Sequence, residues 1–317
     1  MICGIDISSR TLDARIGPDG VPAQFPNNRE GISSLALFCR AQAVELVVME
    51  ATGGYEQQAL AGLSEAGLPV AIVNPRAVRQ FAHSMGRLEK TDQIDAAMIA
   101  WYAEVRGVRP AYLASSEQQH LRALVTRLRQ LVDLRTAQRN QVRLVTDPLI
   151  RRAFEPLLEL VEKQIADLDA EITVAIANDP LWSRMDPVLR TIKGVADRTV
   201  ARLFAELPEL GTLSNKTISK LAGLAPLARD SGAHKGYRSV RGGRAAVREI
   251  LFVVASVVGR YEPDFIAFQK RLREAGKPPK VVRVALAHKL LVRLNAKARE
   301  LRQSLTTATK QCKEIAA

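Results

Sequence analysis

Met1-Ile-Cys-Gly-Ile-Asp-Ile and Leu46-Val-Val-Met-Glu decide how this chain is read. Each is a short apolar run of strand character with one acid in a costly place. Asp6 interrupts the first run, and Glu50 ends the second, just before Ala-Thr-Gly-Gly-Tyr. A third segment, Lys90-Thr-Asp-Gln-Ile-Asp-Ala-Ala-Met-Ile-Ala, carries Asp92 and Asp95 three residues apart. On a helix both point to one face. Acids at the ends of adjacent strands, facing a helix that adds two more, make an oxygen cage for a hard divalent ion. Mg²⁺ prefers such ligands. Two ions about 4 Å apart stabilise the attacking and leaving oxygens of a phosphodiester displacement. Any one of these acids, taken singly, reads as well as a turn residue or a helix cap. The four together, in order on strand, strand and helix, carry the inference.

Working outward, residues 2–8 and 12–16 are apolar around a polar turn, and Gly17-Pro-Asp-Gly marks a second turn. This pattern predicts the start of an antiparallel meander. A helix with Ile32, Leu35, Leu37 and Phe38 comes next, then a strand over 44–49 and a helix over 55–66 ending at Gly67. A strand over 70–73 stops at Asn74-Pro75, and helices are expected over 76–84 and 91–105. Strands first and βα units afterwards predict an α/β domain with a mixed sheet over residues 1–110.

From about residue 115 the period changes. Leu121, Leu124, Leu128, Leu131 and Leu134 recur at three- and four-residue steps. After a break near Asp147-Pro148, the pattern resumes with Leu157, Val161, Ile165, Leu168 and Ile172. This predicts a pair of long helices over 111–182, either a coiled coil that dimerises or a bundle packed within one chain. Residues 183–317 form the remainder. Val188-Leu-Arg-Thr-Ile-Lys-Gly-Val-Ala-Asp-Arg-Thr has the form of a helix–hairpin–helix. In that form Lys193 and Gly194 at the turn would bring backbone amides to a phosphate; an ordinary helical hairpin is the alternative. Leu251-Phe-Val-Val-Ala-Ser-Val-Val reads as a buried helix, and 262–304 as a basic helical tail with a break at Gly276-Lys-Pro-Pro-Lys.

The chain has 317 residues and a net charge of +13, which points to a polyanionic partner. Residues 1–110 hold 10 Lys or Arg against 12 Asp or Glu, and the remainder holds 36 against 21. The front therefore reads as a metal-dependent catalytic part and the rest as the part that grips phosphate. Cys3, Cys39 and Cys312 lack zinc spacing, and the four histidines do not cluster with them. A reducing, cytoplasmic setting fits, with no signal peptide and no apolar stretch of membrane-spanning length.

The loop that begins at Ala225-Pro-Leu-Ala-Arg-Asp-Ser-Gly carries six Lys or Arg and one Asp between Arg229 and Arg248, with four glycines. Cations around a small nucleophile suit phosphoryl chemistry. Ser231 is the candidate nucleophile, and Lys235, Arg238, Arg241, Arg244 and Arg248 are candidate phosphate contacts; a Ser-Gly pair in a loop also reads as a plain turn.

These residues resemble one known family. Asp6 in Gly-Ile-Asp, Glu50 in Glu-Ala-Thr-Gly, the Asn74-Pro75 strand end and the Lys90–Ala96 run are similar to the DEDD transposases of bacterial insertion sequences, recombinases guided by a bridge RNA. The run from Ile192-Lys-Gly-Val through Leu221-Ala-Gly-Leu-Ala-Pro to Asp230-Ser-Gly and Gly243-Arg resembles their second domain. The resemblance implies an RNase H-like, RuvC-like amino-terminal domain, a helical coiled-coil linker and a mostly α transposase domain. It implies Asp6, Glu50, Asp92 and Asp95 as Mg²⁺ ligands, with two ions a possibility, and Ser231 as a nucleophile that forms a phosphoserine link. Donor and target DNA, a guide RNA and a homo-oligomer, dimer or tetramer, follow as partners. Two rivals stand beside it: a RuvC-like resolvase in which water attacks, and a basic nucleic-acid-binding protein whose acids merely cap turns. A sugar kinase of the actin-like fold would explain Gly-Ile-Asp-Ile-Ser-Ser, but the positive charge and the lack of a second phosphate loop argue against it.

Overall fold

The computed structural model describes residues 1–86, 92–110, 115–228, 232, 236 and 238–315, with the side chains of 92–94 and 308–315 outside that description. The chain divides into two compact units, Met1–Leu113 and Ala114–Ala317.

In the first unit, β1 (Ile2–Ile7), β2 (Thr11–Ile16) and β3 (Pro22–Pro26) form an antiparallel meander. Then come α1 (Arg29–Ala41), β4 (Leu46–Glu50), α2 (Glu56–Glu65), β5 (Val70–Val73), α3 (Pro75–Ser84) and α4 (Asp92–Arg106). The sheet order is β3-β2-β1-β4-β5, with β4 parallel to β1 and β5 parallel to β4. This is the mixed sheet that the sequence predicts. Local chemistry sets the joints. The Asn28 side chain accepts from the Gly31 amide at the start of α1, and the Asn74 side chain accepts from the Arg76 amide, with Pro75 opening α3.

Alternation along the strands sorts two cores. Cys3, Ile5, Val47, Met49 and Val70 pack with Ile32, Leu35 and Leu63 of α1 and α2. Leu46, Val48, Ala71 and Val73 pack with Val78, Met98 and Ile99 of α3 and α4. Helix α4 lies directly on β1. A side-chain carbon at Gly4 would overlap the Ala96 carbonyl and the Ala100 backbone, so this position takes glycine for close approach.

The second unit is helical: α5 (Ser116–Val142), α6 (Pro148–Ala153), α7 (Glu155–Asn178), α8 (Trp182–Arg190), α9 (Asp197–Glu206), α10 (Asn215–Leu221), α11 (Ala245–Tyr261), α12 (Pro263–Glu274) and α13 (Pro279–Ile315). Helices α5 and α7 pack on each other through Leu121, Leu128, Leu131, Val161 and Ile165, in one core with α9, α11 and α13. Buried Asn295 of α13 ties that helix to the α9–α10 connection. It accepts from the Gly211 amide at 2.8 Å and donates to the Leu213 carbonyl at 3.0 Å. Helix α11 is buried on one side only, contrary to the sequence expectation. Leu251, Val254 and Val258 face the core, while Val253 is 60% exposed. Its run of valines is denser than one helix face can hide.

Candidate active site: an acidic sheet face and a pinched basic loop

Asp6 and Glu50 share one face of the sheet. Ile5 and Ile7 point into the core under α1 and α2, so Asp6 between them points the other way, toward the α4 side. Met49 likewise points to the α1–α2 core, and Glu50 follows it at the end of β4. The parallel register pairs Ile5 with Met49, so the next step places Asp6 beside Glu50 on neighbouring strands. Both are half-buried. The Asp6 carboxylate accepts from the Ile7 amide at 3.0 Å. Asp95 is half-buried on α4, one residue from the Ala96 that touches Gly4, itself two residues before Asp6. Asp92 begins α4, and its side chain lies outside the described residues.

Two acids at this site escaped sequence reasoning. Asp13 sits directly opposite Asp6 across the β1–β2 pair and is only 8% exposed. It accepts from the Gln24 side chain at 2.8 Å. Its strand gives no apolar run long enough to make it stand out. Glu56 opens α2 and is 6% exposed. One of its oxygens accepts from the Thr52 amide at 3.1 Å, the Thr52 hydroxyl at 2.8 Å and the Gly54 amide at 2.9 Å. Glu56 thus shapes the turn that leaves Glu50, where Gly53 and Gly54 both have positive φ. Burial pushes this carboxyl up, but the amides of Glu56 and Gly54 and the side chains of Thr52 and Gln57 outweigh burial, so it sits below the ordinary glutamate value. An acid just after Gly-Gly at a helix start was the available signal.

In the second unit, the basic loop is closed at its base. Gly223 and Gly243 cross so tightly that a side-chain carbon on either would overlap the other strand's backbone, and both have positive φ. The Arg244 amide donates to the Leu221 carbonyl at 2.7 Å, and a bridge pairs Leu227 with Ser239. Ser231 and Lys235 fall between these ties in sequence and lie outside the described residues.

The arginines divide by role. Arg244 grips Glu209 through both terminal nitrogens, at 2.6 and 2.7 Å, and also donates to the Glu206 carbonyl at 2.9 Å. Such a bidentate pair is strong and directional. Arg248 donates to the Gly242 carbonyl at 2.6 Å. Both therefore anchor the loop to the helical body. Arg238 and Arg241 are exposed. At the α8–α9 turn, Gly194 has φ +99° and packs against Val257, while the Lys193 amide donates to Glu262 at 2.8 Å. Asp197 in the first turn of α9 pairs with Arg190, so that helix end already holds an acid.

Residues 3–148 match a DEDD-type transposase family, and residues 186–270 match the Transposase IS116/IS110/IS902 family. Pilin gene-inverting proteins of Moraxella bovis and Moraxella lacunata are each 30% identical over 306 residues, covering 91% of this chain and 92% of theirs. A Thermus thermophilus RuvC structure aligns with TM-score 0.26 and 17% identity, covering 35% of this chain and 99% of that one. The sequence matches define the class: an enzyme of DNA transposition and site-specific recombination. Within that class, the chain belongs to the IS116/IS110/IS902 transposase family. Among the described residues, no helix is long and apolar enough to cross a membrane.

Proposed function

We propose that the protein cuts and rejoins donor and target DNA by phosphodiester transesterification, with Ser231 as nucleophile. The observation that carries this reading is the pair Asp6 and Glu50 on neighbouring parallel strands, on the face that α4 covers. Asp6, Glu50, Asp92 and Asp95 offer only carboxylate oxygens, a donor set that fits one or two Mg²⁺ ions. Among the described residues no group of three or more Asp, Glu, His or Cys side chains is placed to hold an ion, and the Asp92 side chain lies outside them. Bound there, Mg²⁺ would offset charge on the phosphoryl oxygens.

The chain's own groups do the rest. The Ser231 hydroxyl oxygen bonds to phosphorus while the bond from phosphorus to a sugar oxygen breaks, and the serine's proton ends on the released sugar hydroxyl. A sugar hydroxyl of the partner strand then attacks the phosphoserine, restoring serine and joining the strands. One phosphodiester replaces another, so no nucleoside triphosphate is needed. Arg238, Arg241, Lys235 and the exposed side chain of Lys193, whose amide is held by Glu262, steady the DNA phosphates, and Arg244 and Arg248 hold the loop that presents Ser231. The net charge of +13 supports a further polyanion, a structured guide RNA whose pairing selects sequence. A dimer or tetramer is supported by the apolar tip of the α5–α7 hairpin, where Leu144 is 85% and Leu149 is 75% exposed.

The likeness to pilin gene-inverting proteins favours one variant of the outcome, inversion of a segment between two sites. The same strand exchange inverts or inserts according to how the sites are placed.

The test incubates protein, the transcript flanking its gene, donor and target DNA and Mg²⁺, then resolves protein–DNA adducts on a denaturing gel. An adduct lost in Ser231→Ala and in Asp6→Ala is expected. Cutting without an adduct, unchanged in Ser231→Ala, would overturn the serine mechanism in favour of water attack.

A further inference from the structure

Beside the basic loop, the second unit carries a groove of about 1030 Å³ bounded by the loop, α12 and α13. This lies at the upper end of the roughly 300–1,000 Å³ of small-molecule sites and is large enough to take a short polymer segment. Its floor comes from an unusual property of α13. That helix buries Val282, Leu286, Leu290 and Leu294 in the core. It also carries a second stripe, Val281, Val284, Ala285, His288 and Val292, at helical spacing along the groove. Leu224, Val240 and Phe268 complete an apolar surface.

The rim has one sign of charge. Arg238 of the loop, Arg271 of α12 and Lys280 and Lys289 of α13 line the groove, and no acid does so among the described residues. Aromatic packing sets two of these cations. Arg271 and Lys289 both lie over the Phe268 ring, at 5.2 and 4.8 Å from its centroid, and Lys289 donates to the Asp264 carbonyl at 2.8 Å. Burial lowers the His288 pKa, which keeps its flat ring neutral near pH 7. The cleft between α7, α8 and α9 makes the contrast. There Arg190 pairs with Asp186 and Asp197, and Arg198 with Asp169, so its charge cancels internally.

A duplex presents phosphates and hides its bases, so it uses a cationic rim and leaves an apolar floor unused. An unpaired strand presents both. Grooves that hold single strands combine a cationic track with a surface for the bases, usually aromatic; here that surface is mainly aliphatic, with Phe268 and His288 as its aromatic rings among the described residues. We infer that this groove receives an unpaired stretch of nucleic acid, with bases on the α13 stripe and phosphates on Arg271, Lys280 and Lys289. The inference rests on the reading of nucleic acid as substrate, and it adds a strand-binding site next to the nucleophile loop. The strand is an opened DNA end, since DNA is the substrate of the enzyme class to which the chain belongs.

The experiment is fluorescence anisotropy of the full chain with a labelled 12-nucleotide DNA, the same sequence as RNA, an abasic strand of equal length and a 12-base-pair duplex. The base-bearing strand is expected to bind on the order of tenfold or more tighter than the abasic one. The double variant Arg271→Glu/Lys280→Glu, on exposed positions, and the floor variant Val281→Asp are each expected to cost single-strand binding on the order of tenfold while changing duplex binding less. Tighter binding of the RNA strand than of the DNA strand overturns the choice of DNA as the occupant. Equal binding of abasic and intact strands overturns the inference, as does equal weakening of strand and duplex. A floor variant that spares strand binding but breaks self-association also overturns it, and assigns the groove to a second copy. The readout needs no metal and no chemistry. Adduct formation without base-dependent strand binding therefore overturns the groove alone, and strand binding without adduct overturns the serine mechanism alone.

Discussion

At the scale of residues, Glu56 is the group whose removal is most informative. Its carboxylate gathers two donors from Thr52 and one from Gly54 in the turn after Glu50. Glu56→Ala strands these donors in a partly buried turn, at a cost of about 1–3 kcal/mol. Urea unfolding of Glu56→Ala is expected to report that loss, and the adduct assay a lower yield, because Glu50 loses its support. The pH dependence has a definite sign. The folded pKa is lowered, so the stabilisation is fully present above the unfolded value of about 4.3 and fades as pH falls through the folded value. The gap in stability between wild type and Glu56→Gln should therefore be widest near neutral pH and shrink in acid. Asp6 and Glu50 were legible in sequence because an acid inside an apolar strand is conspicuous. Glu56 and Asp13 were not. One is bound by the backbone of a turn, and the other owes its place to a cross-strand register that no single segment encodes.

At the scale of elements, β3 is the strand that sequence reasoning passed over. Pro22-Ala-Gln-Phe-Pro has a proline at each end and alternates between exposed and half-buried. Prolines lower strand propensity, yet they suit an edge strand, and β3 is the edge of this sheet. The short α6 was also missed. Asp147-Pro148 reads as a break, and it is a break that caps a helix, with Asp147 accepting from the Leu149 and Ile150 amides. The long leucine pattern does form helices, α5 and α7. Its ambiguity between self-packing and dimerisation was real, because α5 and α7 bury their inner leucines together and still expose Leu144 and Leu149. Leu144→Lys/Leu149→Lys is expected to leave thermal unfolding within about 0.5 kcal/mol of wild type, as exposed positions do. Light scattering should find a smaller oligomer at equal concentration. An unchanged mass would remove the hairpin tip from the interface.

At the scale of the whole molecule, charge is divided as the fold is. The first unit is slightly acidic and the second carries the positive excess, so phosphate contacts belong mainly to the second. In salt titrations of DNA binding, Arg241→Ala is expected to reduce the slope of log K against log salt by about 1, and Arg106→Ala in the first unit to leave it unchanged. Equal effects would mean that both units track the backbone. The pinched loop has a consequence for the chemistry. Its two ends leave the body at one glycine crossing, so the gap that the loop must span stays constant whatever its length. The reach of the proposed nucleophile, Ser231, is therefore set by how many residues stand on either side of it between Leu227 and Ser239. A change of length there would leave α10 and α11 packed as they are but move that serine, which ties the length of the loop to its chemistry.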